Sequence, residues 1–209
     1  RSLTVKQLTL NVTANVNDAV KSDQLLNIQS GKITISAAGN AVRCDRTLNI
    51  GQSGSGPNLT ITSSSVGLSS AVINISGGNI SVNSSSDGIR SASSGLGDYP
   101  FACNINGGTV TVNSTDGDGI DSNGAVYVTG GELVVSTFGT FMENGLDTGW
   151  GGPVVTGGKV IAGGYPGAGG LGGKRAYMKY MGAGLDGGQK IKKAFCGGTM
   201  AATPISCVA

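Results

Sequence analysis

Asp118-Gly-Ile-Asp-Ser-Asn-Gly-Ala-Val-Tyr-Val-Thr-Gly-Gly-Glu-Leu-Val-Val135 holds one full structural period of this chain. It contains three short aliphatic segments, around Ile120, Val126 and Val128, and Leu133 and Val135, separated by glycine-rich corners. Alternation within the segments sends aliphatic side chains to one face and Thr, Ser or Asn to the other. The Gly-Gly pair suits a corner, because glycine accepts positive φ without a Cβ clash. Strand, Gly-Gly, strand on its own also describes a hairpin. The third aliphatic segment in almost every period argues instead for three strands per turn, the pattern of a parallel β-helix.

Outward from this stretch the same two phrases recur. The first runs Asp18-Ala-Val-Lys-Ser22, Asn40-Ala-Val-Arg-Cys44, Asp87-Gly-Ile-Arg-Ser91, Asp118-Gly-Ile-Asp-Ser122 and Asn144-Gly-Leu-Asp-Thr148, with weaker copies at 66–70 and 183–187. Its aliphatic position falls at residues 20, 42, 68, 89, 120, 146 and 185, mostly 20 to 30 residues apart, as expected of solenoid coils. The second phrase carries the Gly-Gly corner at 77–78, 107–108, 130–131 and 157–158, with an earlier relative at 27–35. These repeats predict an all-β, right-handed parallel β-helix of roughly seven coils over residues 1–165. Residues 166–209 read as a Gly/Lys-rich, Cys-containing extension packing on or extending the stack. Val20, Val42, Leu68, Ile89, Ile120 and Leu146 form one predicted inner ladder, and Ile35, Val82, Val112, Val135 and Ile161 another. Insertions are expected at coil corners, over 92–102 and 163–182.

Composition agrees and narrows the chemistry. Of 209 residues 38 are glycine, only 12% are charged, and none is histidine. The missing imidazole removes the commonest general base and metal ligand and every Ser-His or Cys-His nucleophile. Residues 84–148 hold eight acids against Arg90 alone, whereas 174–193 hold six cations against Asp186. The basic run lacks the interleaved aromatics of a nucleic-acid binder. A GxGxxG string at 167–172 has no surrounding βαβ unit and reads as a glycine-rich insertion. No apolar run reaches membrane-span length. The opening residues show no leader pattern, and Arg1 reads as the start of a mature or trimmed chain. Cys44, Cys103, Cys196 and Cys207 form no CxxC pair, so two disulfides in an oxidising compartment are expected. Of the three connectivities, Cys44–Cys103 with Cys196–Cys207 is preferred.

Candidate functional residues gather at one acidic corner. Asp87, Asp116, Asp118, Asp121, Asn123, Asn144 and Asp147 are hard oxygen ligands without soft partners, which favours Ca2+. Carboxylates stacked coil on coil repel unless a cation lies between them. The competing explanation is that Asp, Asn and Gly simply make turns. Exposed aromatics stack on sugar rings, so Trp150 and Tyr165, with Arg90 beside the acidic corner, are the candidate carbohydrate contacts. Asn-x-Ser/Thr sequons at Asn11, Asn58, Asn74, Asn79, Asn83 and Asn113 are possible N-glycosylation sites in a eukaryotic secretory product and strand polar faces in a bacterium.

The periodic Asp-Gly-Ile phrases, the Gly-Gly-Thr-Val-Thr-Val turn and the run from Asp116 to Gly131 resemble the secreted bacterial carbohydrate-binding β-helix domains over roughly residues 15–165. The resemblance implies calcium at the acidic corner and non-catalytic binding of acidic, pectin-like polysaccharide such as polygalacturonate, or of another cell-wall glycan, outside the cell or at its surface. The Lys-rich, cysteine-bearing segment from 174 to 209 departs from that pattern. Two other functions compete. One is a self-assembling subunit of an extracellular filament, joined head to tail by stacking or strand exchange through a solenoid end. The other is a calcium-dependent polysaccharide lyase with Arg90 as base. A binding protein rather than an enzyme is the expectation.

Overall fold

The computed structural model describes residues 1–92, 99–138, 143–149, 152–163 and the backbone of 177–181. Among them every regular element is a β-strand, and no helix is long and apolar enough to cross a membrane. The strands stack in parallel into a β-solenoid. A 13-stranded sheet wraps two faces and a six-stranded sheet, one strand per coil, closes the third. Six coils therefore stand where roughly seven were expected: Ser2–Val5 and Thr9–Ala14 add an incomplete turn, and the weak repeat at 183–187 lies outside the described residues. The exception to parallel pairing between strands is Tyr177–Met181, antiparallel to Gly158–Gly163.

The narrow six-stranded face consists of Val20–Ser22, Asn40–Cys44, Val66–Ser70, Ile89–Ser91, Ile120–Ser122 and Leu146–Thr148. Its inner ladder is the predicted one, with Val20, Val42, Leu68, Ile89, Ile120 and Leu146 aligned rung by rung. The four central members are wholly buried. Ladder geometry sets neighbouring rungs about 4.8 Å apart, so each aliphatic meets its equivalents above and below. Gly88 and Gly119 pass beneath this stack where an added Cβ would run into Val112 and Val135. The Gly-Gly corners turn as expected, with Gly78 at φ 100° and Gly131 at φ 77°. Around Gly77-Gly78 and Gly107-Gly108 the second and third strands of a coil fuse into single 13-residue strands with a register shift at the corner.

Two predicted features are corrected. Val135 pairs with Ala162, not Ile161. In a strand a one-residue displacement reverses the face, so Ala162 fills the core and Ile161 lies in the outer row. The Cys44–Cys103 disulfide is absent: both are free, buried thiols. Cys44 ends the second strand of the narrow face, whereas Cys103 follows the fourth and aligns with Ile73 and Val126. Two rungs, about 10 Å, separate their coils, beyond the Cα reach of a disulfide. Cys103 instead serves as a small apolar core residue, its thiol pushed up to about 12 by burial. Cys196 and Cys207 lie outside the described residues.

The last residue of each of the first five narrow-face strands, Cys44 among them, also points inward. Ser22, Ser70, Ser91 and Ser122 are buried. A buried hydroxyl needs a hydrogen-bond partner, and the corner carbonyls can offer it their second lone pair. Ser91 Oγ accordingly donates to the Ala71 carbonyl at 2.7 Å and Ser122 Oγ to that of Ala125 at 3.2 Å. Ser22 Oγ likewise donates to the Arg1 and Leu25 carbonyls, whereas the buried Ser70 Oγ has no hydrogen-bond partner among the described residues.

Candidate functional site

The fourth position of the Asp-Gly-Ile phrase points outward on the narrow face. Register aligns Lys21, Arg43, Ser69, Arg90, Asp121 and Asp147 into one column along the stack. The column is cationic in its first half, interrupted by Ser69, and acidic in its last two rungs.

Beside it the first phrase position forms the corner. There a carboxylate reaches forward one coil to hold a backbone N–H. Asp18 Oδ1 accepts from Asn40 N at 2.9 Å and from Asn40 Nδ2 at 2.6 Å, and Asp87 Oδ1 accepts from Asp118 N at 3.1 Å. Asp118 Oδ1 accepts in turn from Asn144 N. Turn-making is therefore real chemistry for these acids. Burial pushes the Asp18 carboxyl up, but the two hydrogen bonds from Asn40, with Arg43 and Lys21 nearby, outweigh it and hold the group below its ordinary value.

The acidic end is different. One carboxylate oxygen each from Asp118, Asp121 and Asp147 lie within 4.8 Å of one another. Burial, then the carboxylates of Asp147, Asp87 and Asp121, push Asp118 up to about 7, against the opposing hydrogen bond from Asn144. Burial, then Asp87 and Asp147, raise Asp121 as well, with Arg90 pulling the other way. Three ionised carboxylates this close repel one another, and together they could hold a hard cation through oxygens alone. Five predicted acids thus divide. Three converge, with Asp118 at the corner and Asp121 and Asp147 on the open strand face. Asp87 lies close enough to perturb them while its Oδ2 faces Arg90 Nη1 at 3.4 Å. Asp116 is exposed and outside the triad. Of the two amides, Asn144 supplies the backbone donor to Asp118, and Asn123 lines a neighbouring groove.

That groove, about 400 Å³, lies on the cationic half of the same face and is lined by Asn40, Arg43, Asp45, Ser69, Arg90 and Asn123, among others. Ser69 makes it, because a short side chain stands between two arginines on adjacent rungs. Arg43 Nε bonds Asp45 Oδ1 at 3.2 Å and its Nη1 lies 3.7 Å from Asp18 Oδ2. Nearby, Tyr99 places its ring 5.8 Å from the Arg46 guanidinium and its hydroxyl 3.4 Å from Thr47 Oγ1. Tyr99, within the expected insertion, thus lies against the second coil.

Of the three predicted sugar contacts Arg90 lines this groove, while Trp150 and Tyr165 lie outside the described residues. Arg43, Ser69, Asn40 and Asp45 were not anticipated. Reading the fourth phrase position down the repeats, in place of treating it as variable, would have found the first two. The sequons all fall on strands. Asn11, Asn58, Asn79 and Asn83 are exposed, whereas Asn74 is half-buried with its amide bonded on both sides.

The fold defines a parallel β-solenoid with a polar groove and a triad of carboxylates beside one another on one face. The chain belongs to the family of carbohydrate-binding domain-containing proteins, whose family model matches residues 6–96 and again 55–150. The second match begins about two coils after the first, as a stack of near-equivalent coils allows. No curated protein and no solved structure matches the chain.

Proposed function

We propose that this domain binds acidic, pectin-like polysaccharide outside the cell without cleaving it, through a calcium ion held by Asp118, Asp121 and Asp147. The supporting observation is the convergence of three carboxylates on the open face of a carbohydrate-binding family member. Three protein oxygens leave part of a calcium coordination shell, normally six to eight oxygens, to water or ligand. Uronate carboxylates are hard oxygen donors that fit those positions. Without the ion the same face would repel a polyanion.

Titration calorimetry with polygalacturonate, with calcium and with excess chelator, tests this. Binding with calcium that disappears on chelation is expected, together with loss of binding in Asp121→Asn/Asp147→Asn. Equal affinity in chelator would overturn the cation bridge. Ultraviolet absorbance growing during the incubation would overturn the non-catalytic reading.

A further inference from the structure

We infer that the groove around Ser69 is a second subsite that reads sugar hydroxyls, so that a glycan lies along the solenoid axis with a carboxylate at the acidic triad and a neighbouring ring over Arg43, Ser69 and Arg90. The inference rests on the acidic-glycan reading for its orientation, but the groove chemistry stands on its own residues.

Three observations carry it. First, the column register places Arg90 directly beside Asp121, so groove and triad are consecutive stations on one face. Second, Arg43 and Arg90 are separated by two rungs, about 10 Å, with only the Ser69 side chain between them. That rung spacing, above a Ser69 that is itself buried, is comparable with the length of a disaccharide. Third, the arginines are not bare cations. Asp45 and Asp18 hold Arg43, and Asp87 holds Arg90, yet the two arginine side chains remain 41% and 38% exposed. A guanidinium has five N–H donors, and these contacts occupy only some of them. Fixed donors beside fixed carboxylate acceptors, with little net charge, match vicinal hydroxyls, each of which donates and accepts. A free carboxylate would gain little here, because Asp18, Asp45 and Asp87 already neutralise the arginines.

Calorimetry with the intact chain separates the two stations, using an oligogalacturonate and its fully methyl-esterified form, which cannot bridge the ion. Arg43→Gln/Arg90→Gln is expected to weaken the acidic oligomer about tenfold or more in calcium, as loss of hydrogen bonds to charged groups would. The loss should be similar at low and high salt. The wild-type protein should retain weak binding of the ester in chelator, and the double variant should lose it. Arg90→Lys, which keeps the charge and loses the planar fork, should also weaken the ester. A calcium-induced thermal shift at least as large as in the wild type would show that fold and triad survive, since Arg90→Gln removes a cation beside Asp121.

Wild-type affinity in the double variant would overturn the groove while leaving the cation reading intact. A loss that vanishes in high salt would overturn hydroxyl reading in favour of general charge attraction. Asp121→Asn/Asp147→Asn binding the acidic oligomer as tightly as the wild type in calcium would overturn the cation reading and leave the groove. Binding of neither oligomer by the wild type would overturn both.

Discussion

Two outward columns run along this solenoid with the same rung spacing and opposite chemistry. On the broad sheet Asn27, Asn49, Asn74 and Asn104 stack so that the Nδ2 of each of the last three donates to the Oδ1 of the preceding coil, at 2.8 to 2.9 Å. On the narrow face the last two rungs place Asp121 against Asp147. An amide donates and accepts, so a stack of amides satisfies itself. A carboxylate only accepts, so a stack of carboxylates is incomplete until a cation or proton enters it. The first column is a spine and the second a candidate site, although the backbone beneath them is the same.

Exchanging the two chemistries tests that distinction. The largest effect is expected from calcium itself: at about a hundred times its Kd it should stabilise the wild type by about 2.7 kcal/mol and leave Asp121→Asn/Asp147→Asn unchanged, read as a shift in denaturation midpoint. The reverse exchange, Asn74→Asp, deprives Asn49 Oδ1 of its donor and should cost about 1–3 kcal/mol in urea unfolding. If it costs nothing, the spine is ornamental.

A pH series sharpens the contrast further. Asp118 is raised in the folded state from 3.8 to about 7. Its contribution to metal-free stability is therefore complete below about 3.8 and is lost as pH rises through 7. Calcium binds the ionised carboxylate, so the calcium-induced rise in Tm should grow over that window. A rise independent of pH would remove Asp118 from the site. The smallest effect is expected at Lys159 and Glu132, paired at 2.7 Å on an open part of the broad sheet. Lys159→Ala should change stability by no more than about 1 kcal/mol, because two long exposed side chains of opposite sign need no third partner.

The inner ladders were legible because a repeated phrase states which residue is equivalent to which, and Val42, Leu68, Ile89 and Ile120 needed no other information. The same phrases contained Arg43 and Ser69 at their fourth position. The groove emerges only when those positions are read as a column, since its walls come from residues 26 and 21 apart in pairs along the chain. Ile161 misled because Val160, Ile161 and Ala162 form an apolar run without alternation, so only pairing with Leu133, Val134 and Val135 fixes its face. Cys44 and Cys103 misled because cysteine count carries no distance.

The sequence by itself determined the coil, its glycine corners and its main core ladder, since strand alternation and corner conformation are properties of a few consecutive residues. Tertiary structure alone decided that Asp118, Asp121 and Asp147 meet while Asp116 stays apart, and that two cysteines remain thiols two coils from each other. Those outcomes depend on how successive coils of unequal length align, and that alignment is set by packing across the whole stack, where a shift of one residue exchanges the core for the surface.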